Sequence, residues 1–600
     1  MTSQSTECER RVRGLRAQLI QQGLDGFIIP HSDEYQNEYL PASAERLAWI
    51  TGFTGSAGTA VVLQDHAAVF VDGRYVLQVR QQVDLRIFEP RHVSEVTVND
   101  WLSSVLKPGD KLGYDPWLHT PKEVRQLRQA CARVKAELVP CRANPVDAIW
   151  IDRPPVPRAL VVPYSTAYAG KSSEDKRKEL AQKLKDDRID VAVLTTPDSI
   201  AWLLNIRGGD VSHTPLPLGF ACLENDESAT LFIESQKVSE TLRDHLGPSV
   251  VVASIEEFGA ALKKIGGTRR RVLCDPQRTA SSVFDQLEQA GAEIIEGEDP
   301  CVLPKACKNP VEIAGTREAH KRDGAAVCEF LSWLALEAPK GKITELDAQA
   351  YLDSRRQRQA LWKDLSFPTI SACGANGAIV HYRATAETNR LLEPNTLYLV
   401  DSGGQYLDGT TDITRTVAIG TPTPEQRACY TRVLKGHIAL ATVTFPKGTT
   451  GTQLDTLARQ PLWEVGLDYD HGTGHGVGCY LGVHEGPQRI SKTPSTVALE
   501  TGMIVSNEPG YYRAGAFGIR LENLIVVVPA RSSGVEGRNW FAFETLTVAP
   551  FDRNLMDLSL LTSREIDWVN AYHEMVRETI VPLVDLPTQS WLRDATEPLR

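Results

Sequence analysis

The sequence lacks several features that would assign it to a specialised class of protein. No apolar run reaches the roughly 18–20 residues that span a bilayer, and the N-terminal segment has no apolar core of the signal-peptide type. Basic residues are not in excess: 65 Lys and Arg stand against 76 Asp and Glu, a formal charge of −11. That balance is not typical of a nucleic-acid-binding protein. We therefore expect neither membranes nor nucleic acids as partners.

The sequence also lacks a cysteine pattern. Its 11 cysteines are odd in number and scattered, and the closest pair, Cys301 and Cys307, does not have metal-ligand spacing. Reduced thiols in a cytoplasmic protein are the expectation. The remaining composition is globular, with 42% hydrophobic and 24% charged residues. Because single cores stop growing near 250–300 residues, a chain of 600 residues predicts two to four domains.

Two proline-rich stretches divide the chain. Residues 152–163 contain four prolines, and residues 299–310 contain three. Because proline fixes φ and has no backbone N–H, such stretches suit extended connectors. They predict an N-terminal domain over residues 1–153, a second domain over 154–303 and a third over 304–600.

The first two domains look like diverged copies of one α/β unit. Each begins with a charged helical pattern, followed by a short apolar strand, a Trp-bearing segment and a further apolar strand. The preserved order favours duplication over chance similarity. The matching landmarks are Glu9–Gln22 with Ser173–Asp187, Trp49 with Trp202, and Phe70 with Phe232.

The third domain mixes helices with strands. Asn309 can cap a helix whose first turn accepts Pro310, and the apolar spacing over 327–334 continues a helical pattern. Thr423 and Gln426 form a capping box for a second helix. Strand-like runs lie between and after these helices, so the sequence predicts an α+β domain rather than a βαβ repeat.

Two glutamates in this domain point to a cation. A hairpin turning at residues 514–516 would place Glu508 directly opposite Glu522, where two carboxylates repel each other. Glu522 is flanked by apolar residues, so burial would add to the cost. A cation between the two would remove both problems. The alternative is that they face solvent or pair with Arg520 and Arg513.

Two aspartates form a weaker pair. Asp401 ends an apolar strand, and a two-residue turn at Asp408–Gly409 would place Asp412 opposite Gln405. The two aspartates would then lie roughly 13 Å apart. A bend or bulge at Gly403–Gly404 could bring them together. The alternative is two ordinary turn aspartates.

Histidines in glycine-rich segments add nitrogen donors, namely His471, His475 and His484. Four carboxylates and one imidazole would form an oxygen-rich set that favours Mn²⁺, Co²⁺ or Mg²⁺, and two divalent cations would balance the four carboxylates. The sequence has no complete nucleophile elbow, zincin or nucleotide-binding motif, so covalent and nucleotide chemistry have little support.

Five ordered motifs resemble those of the Xaa-Pro aminopeptidases, also called aminopeptidase P. The resemblance covers essentially the full length and is greatest to the large three-domain form. It implies two similar, non-catalytic N-terminal α/β domains, which shape substrate access and assembly, followed by a pita-bread catalytic domain. The motifs are ISACGANGAIVHYR, VDSGGQYLDGTTDITRT, HGTGHGVGCYLGVHEGP, NEPGYY and GIRLEN.

The resemblance also implies roles for individual residues. Two divalent ions are expected, most simply Mn²⁺, with Co²⁺ or Zn²⁺ as alternatives, and Asp412 and Glu522 would serve both ions. Glu508 would also exchange the proton, and Arg520 and Tyr512 would steady the metal carboxylates. The full set of implied metal ligands is Asp401, Asp412, His475, Glu508 and Glu522. The histidines implied to position the substrate and the oxyanion are His381, His471 and His484.

The implied reaction is hydrolysis of the bond between an N-terminal residue and a following proline by a hydroxide that two metal ions activate. One alternative is a prolidase that cleaves Xaa-Pro dipeptides, and the extra α/β domain argues against it. Another is a metal-free interaction module on a peptidase fold, and the five retained ligands argue against that. The resemblance further implies a homodimer whose partners are peptides with proline at the second position, and the cysteine pattern predicts a cytoplasmic location.

Overall fold

A computed structural model describes residues 3–530 and 539–600. The chain divides into two units, Met1–Thr166 with Lys171–Val302, and Ala167–Gly170 with Leu303–Arg600. This division does not separate the two predicted N-terminal domains, so the boundary at 153/154 stays a prediction. Across the described ranges, none of the helices combines the length and apolar character needed to cross a bilayer.

The first unit begins with a six-stranded sheet of order β4-β3-β2-β1-β5-β6. Phe27 and Ile29 on its central strand face one apolar cluster, and Ile28 faces another, so the sheet is the middle layer of the fold. The strands are β1 (Gly26–Pro30), β2 (Thr59–Leu63), β3 (Ala67–Val71), β4 (Glu89–His92), β5 (Lys111–Tyr114) and β6 (Glu137–Pro140). The helices are α1 (Ser3–Gln22), α2 (Arg46–Thr51), α3 (Val76–Gln82), α4 (Val98–Val105) and α5 (Pro121–Arg133).

A second six-stranded sheet follows, with the order β12-β11-β10-β8-β13-β14. Two short strands, β7 (Val162–Pro163) and β9 (Ile206–Arg207), pair separately. The sheet strands are β8 (Val191–Leu194), β10 (Phe220–Glu224), β11 (Ala229–Phe232), β12 (Val250–Ala253), β13 (Arg271–Cys274) and β14 (Glu293–Glu296). The helices are α6 (Thr166–Ala169), α7 (Ser173–Asp186), α8 (Pro197–Leu204), α9 (Glu240–Leu246), α10 (Phe258–Gly267) and α11 (Ser281–Ala290).

The two sheets have the same topology. In each, the first three strands in sequence are antiparallel neighbours, and the other three pairings are parallel. Phe70 pairs with Thr59 and Phe232 pairs with Phe220, in each case the first residue of the preceding strand. Trp49 and Trp202 both lie on a helix between the first two strands. The predicted similarity of the two α/β units is therefore confirmed at the level of individual positions, and their origin by duplication stays a prediction.

The second unit begins with helices whose starts follow local chemistry. Asn309 caps a 28-residue helix by accepting from the backbone N–H of Val311 and Glu312, and Pro310 occupies its first turn. Thr423 and Gln426 form the predicted capping box. The helices are α12 (Val302–Ala306), α13 (Pro310–Glu337), α14 (Glu345–Arg356), α15 (Pro424–Thr442), α16 (Gly451–Trp463), α17 (Ser563–Ile580) and α18 (Leu586–Ala595).

In the described part of the second unit, the strands form four sheets. Their orders are β15-β18-β19, β16-β17-β20, β21-β28-β27-β24-β22-β23 and β25-β26. Helices and antiparallel strands thus alternate irregularly, as expected for an α+β domain. The strands are β15 (Trp362–Leu365), β16 (Ile370–Cys373), β17 (Thr396–Ser402), β18 (Gly404–Tyr406), β19 (Gly409–Thr410), β20 (Ile413–Ile419), β21 (Phe445–Pro446), β22 (Gly474–Gly476), β23 (Glu485–Ile490), β24 (Ile504–Asn507), β25 (Gly510–Arg513), β26 (Phe517–Arg520), β27 (Asn523–Pro529) and β28 (Trp540–Thr545).

Candidate metal centre

A long hairpin carries the two glutamates. The ladder of β24 and β27 ends with Asn507 opposite Asn523. Beyond it, β25 and β26 continue in the same register around the predicted turn at residues 514–516. Glu508 therefore stands opposite Glu522 in the short gap between the two ladders. The structure thus confirms the predicted register, in which Glu508 lies opposite Glu522.

The predicted turn at Asp408–Gly409 is wrong by one residue. Tyr406 pairs with Gly409, so the turn consists of Leu407 and Asp408. Gly409 serves another purpose: an added Cβ would lie 3.0 Å from the Cα of Thr316 on α13. The glycine permits close packing of β19 on the helix, and this tertiary demand overrides its local preference for a turn.

This register brings the aspartates closer than predicted. Asp412 faces Gly403 rather than Gln405, and Asp401 pairs with Thr414 two positions away. The offset along the strand is therefore roughly 7 Å. The ladder breaks at Gly403, where an added Cβ would clash with a backbone oxygen of the opposing strand. The register is the same on both sides of Gly403, so the strand has no bulge there, and the expected bend stays a prediction.

The two hairpins and β22 converge on one acidic cluster. The Nε2 of His475 lies 3.4 Å from Asp412 Oδ2 and 3.6 Å from Glu508 Oε1. Ligand atoms of Asp412, His475 and Glu522 all lie within 4.8 Å of one another. The Nδ1 of His475 is 2.9 Å from Gly476 O, a contact that turns the opposite ring nitrogen towards the carboxylates.

Asp401 shows the clearest sign of a missing partner. Its Oδ2 accepts a hydrogen bond of 2.6 Å from Arg520 Nη2, but its Oδ1 is buried and has no hydrogen-bond partner in the described part of the chain. Burying an unsatisfied oxygen costs about 1–3 kcal/mol, and more for a charged group. A cation would satisfy it.

Arg520 and Tyr512 support the carboxylates, and Thr414 joins them. Arg520 donates to Tyr512 Oη at 2.7 Å and to Thr414 Oγ1 at 3.1 Å. The hydroxyl of Thr414 in turn donates to Glu522 Oε2 at 2.8 Å. Thr414 was not among the residues predicted from the sequence. Its position two residues after Asp412, on the same face of the strand, is the signal that would have found it.

The histidines lie at different places around the cluster. His471 Nε2 is 2.9 Å from Tyr512 Oη, and its Nδ1 is 4.0 Å from Glu508 Oε2. The ring of His484 lies 4.4 Å from that of His475, centroid to centroid. His381 is half-buried in the turn after the 3₁₀ helix Gly374–Ala378. The structure thus brings His471 and His484 next to the cluster and gives His381 a place on its own loop.

The pKa values of the carboxylates indicate that the negative charge of the cluster lacks a compensating cation. Burial raises the pKa of Asp401 to about 6, although Arg520 opposes the rise. Burial and the neighbouring carboxylates also raise the pKa of Glu508 and, well above its usual range, that of Glu522. Crowded buried carboxylates therefore retain protons when no cation is bound.

The pKa of the His475 imidazole is also raised, but for a different reason. Burial alone would lower the pKa of His475, but the carboxylates of Asp412 and Glu508 raise it to about 9. Protons on these groups supply the positive charge that divalent cations would otherwise supply. The oxygen-rich donor set, the unpartnered Asp401 oxygen and the charge balance all fit a metal centre, and the arrangement is typical of the metal-dependent hydrolases.

Models of known families match most of the chain. The model described as metallopeptidase family M24 matches residues 314–529, and the C-terminal region of that peptidase matches residues 539–599. Creatinase/prolidase N-terminal domains match residues 11–149 and 152–312.

Relatives that match nearly the full length of the chain indicate which kind of peptidase it resembles. Aminopeptidase P1 of Lotus japonicus is 38% identical over 96% of this chain and 97% of its own length. A probable Xaa-Pro aminopeptidase P of Aspergillus niger is 38% identical over 99% and 100%. The X-prolyl aminopeptidase of Caenorhabditis elegans, a cytosolic enzyme with a di-nuclear active site, superposes with a TM-score of 0.95 at 33% identity over 99% and 100%.

The chain belongs to the Xaa-Pro aminopeptidases of metallopeptidase family M24. The resemblance to the Xaa-Pro aminopeptidases that the sequence motifs indicated is confirmed. The predicted fold, two similar N-terminal α/β domains followed by a pita-bread catalytic domain, is confirmed as well. Membership favours the aminopeptidase over the prolidase alternative.

Proposed function

We propose that this protein hydrolyses the bond between an N-terminal residue and a proline at the second position of a peptide, with two divalent metal ions. The observation that carries the proposal is the convergence of Asp412, His475 and Glu522, whose ligand atoms lie within 4.8 Å of one another. The names of the full-length relatives support the same reaction.

Five side chains would hold the ions. Asp412 and Glu522 would be shared by both ions, which agrees with their place at the centre of the cluster. The unpartnered oxygen of Asp401 would complete one site. The oxygen-rich set favours Mn²⁺, with Co²⁺ or Zn²⁺ as alternatives. The ligands are Asp401, Asp412, His475, Glu508 and Glu522.

The ions, when bound, would supply hydroxide near neutral pH and polarise the scissile carbonyl. Glu508 would take a proton and return it to the leaving nitrogen, and burial raises its pKa above the ordinary range, which suits that exchange. His484, which packs against the ring of His475, would donate to the developing oxyanion. His471 and His381 would hold the proline and the backbone after it.

Several properties of the whole protein belong to the same proposal. We infer a cytoplasmic homodimer, an inference supported for location by the cytosolic relative from Caenorhabditis elegans. We also infer three domains, over residues 1–153, 154–303 and 304–600, of which only the last is catalytic. The repeated sheet topology of the first two supports that division.

A set of four peptides tests the reaction. Arg-Pro-Pro and Arg-Ala-Pro would be compared, each with a free and with an acetylated amino terminus, using metal-stripped and Mn²⁺-restored protein. We expect cleavage of Arg-Pro-Pro to exceed that of Arg-Ala-Pro by about 10–200-fold, the range that one apolar pocket supplies. Acetylation should block cleavage. Comparable cleavage of all four peptides would contradict the proposal. The dipeptide Arg-Pro is assayed beside them, and its exclusive cleavage would favour a prolidase.

A further inference from the structure

Arg415 is a buried cation. Its hydrogen-bond partners among the described residues are all neutral groups. Its side chain lies on β20, three residues after Asp412, and the residue is 1% exposed. Its guanidinium donates to backbone carbonyls, to an amide oxygen and to a hydroxyl, and it lies 4.3 Å from the ring centroid of Phe551. Burying a charge in this way is costly, and a function for the residue would offset that cost.

One side of the guanidinium holds the chain around Glu522. Its Nη1 donates to Glu522 O at 2.7 Å and to Thr414 O at 2.9 Å, and its Nη2 donates to Asn523 Oδ1 at 2.8 Å. Glu522 N in turn donates to Thr414 O at 3.1 Å. Arg415 therefore ties β20 to the residue that carries the central carboxylate of the cluster.

A neutral histidine completes the support on the same segment. His437 on α15 contacts Leu521 O through Nδ1 at 3.2 Å, and its Nε2 lies 3.3 Å from Asn523 Nδ2. Burial and the charge of Arg415 lower the pKa of His437 to about 3, so Nε2 can accept from the amide. Three successive residues, 521 to 523, are thus fixed by two buried side chains.

The other side of the guanidinium is held by the C-terminal segment. Ala549 O and Pro550 O accept from Arg415 at 2.7 and 3.0 Å. The hydroxyl of Tyr572 on α17 accepts from Nη2 at 3.1 Å and donates to Ala549 O at 2.8 Å. These residues lie in the region matched by the separate C-terminal model, outside residues 314–529.

We propose that Arg415 is a positioning residue of the metal centre, through which the C-terminal segment around residues 549–551 and Tyr572 fixes Glu522. The inference rests on the proposed role of Glu522 as a metal ligand. A merely structural link between β20 and α17 would affect folding alone, whereas a positioning role must also change the affinity for metal.

The experiment titrates Mn²⁺ into the full-length, metal-stripped protein by calorimetry, and it measures the metal-free Tm in parallel. Arg415→Lys keeps the charge but loses the forked set of donors. We expect its affinity for Mn²⁺ to fall about 10–100-fold, the usual effect of removing support from a metal ligand. Tyr572→Phe removes one acceptor and should weaken binding about 2–10-fold.

Arg356→Lys is the matched control, because Arg356 is also fully buried but forms a bidentate pair with Asp323 at 2.8 and 3.1 Å. It should lower the Tm and leave Mn²⁺ affinity unchanged. Unchanged affinity in Arg415→Lys would overturn the inference. If that variant fails to fold, Tyr572→Phe decides in the same way.

Glu522→Gln separates this inference from the proposed function. Loss of Mn²⁺ in Glu522→Gln, together with weakened binding in Arg415→Lys, supports both proposals. Loss in Glu522→Gln with wild-type binding in Arg415→Lys and Tyr572→Phe overturns the positioning role alone. Wild-type binding in Glu522→Gln overturns the ligand assignment, and with it the inference about Arg415.

Discussion

Asp210 in the first unit and the acidic cluster in the second unit show opposite treatments of buried carboxylates. In the first unit, Asp210 accepts from Lys237 Nζ at 2.7 Å and from the backbone N–H of Leu218 at 2.7 Å, so its charge is matched. In the second unit, four carboxylates share one cluster, and an oxygen of Asp401 has no partner among the described residues. Burial alone therefore does not mark a site; crowding of like charge with an unmet oxygen does.

The largest expected effect comes from breaking the crowded cluster. Asp412→Ala or Glu522→Ala should abolish peptidase activity, because each carboxylate is proposed to serve both ions. Metal stoichiometry, measured on the purified protein by elemental analysis, should fall below two with the activity. Either variant with two bound metals and wild-type turnover would refute the ligand assignment.

The matched carboxylate of the first unit should behave differently. Asp210→Ala leaves the ammonium of Lys237 buried without its anion, a change that typically costs about 3–5 kcal/mol. We expect a lower Tm by calorimetry but unchanged kcat per folded molecule and unchanged metal content. A loss of kcat in fully folded protein would show that Asp210 also supports catalysis.

The sequence predicted those features of the site that depend on local chemistry. The turn at 514–516 set the register that places Glu508 opposite Glu522, and no distant residue was needed for that step. The turn at Asp408–Gly409 was misplaced because Gly409 packs against α13, a contact between distant parts of the chain.

The support for Glu522 could not be predicted for a similar reason. Thr414 and Arg415 on β20 contact Glu522 directly. His437 on α15 holds the neighbouring Leu521, and the C-terminal segment holds Arg415. Spacing within one segment carries no information on such meetings. The ligand types could be read from motifs, but the hydrogen bonds that orient them required the folded chain.

His484 should affect turnover more than binding. Its proposed hydrogen bond strengthens as the scissile carbonyl becomes an oxyanion, and such interactions appear in kcat. We expect His484→Ala to lower kcat by about 10²–10³-fold, or about 2.7–4 kcal/mol, with KM little changed. Steady-state kinetics on Arg-Pro-Pro would test this. A raised KM with unchanged kcat would make His484 a ground-state binding residue instead.

The smallest expected effect is on the pH dependence of stability, to which both units contribute. Burial raises the pKa of Asp401 in the second unit to about 6, and it raises that of Asp33 in the first unit to about 6 as well. The folded chain then holds protons that the unfolded chain has released, so metal-free stability falls as the pH rises from about 4 through about 6. For Asp401 alone the shift corresponds to about 3 kcal/mol. His475, with its pKa raised to about 9, extends the fall to higher pH.

Added Mn²⁺ should remove the part of this pH dependence that comes from the cluster and leave the part that comes from Asp33. Mn²⁺ replaces the protons of the cluster, so the fall in Tm between about pH 5 and about pH 8 should shrink when it is added. Asp401→Asn should reduce the fall in the metal-free protein, because the variant has no carboxylate to ionise there. Asp33→Asn should reduce it equally with and without Mn²⁺, since backbone N–H groups of Tyr35 and Asn37 satisfy Asp33. If Mn²⁺ leaves the pH dependence of the Asp33→Asn variant as steep as in its absence, the cluster does not exchange protons for metal.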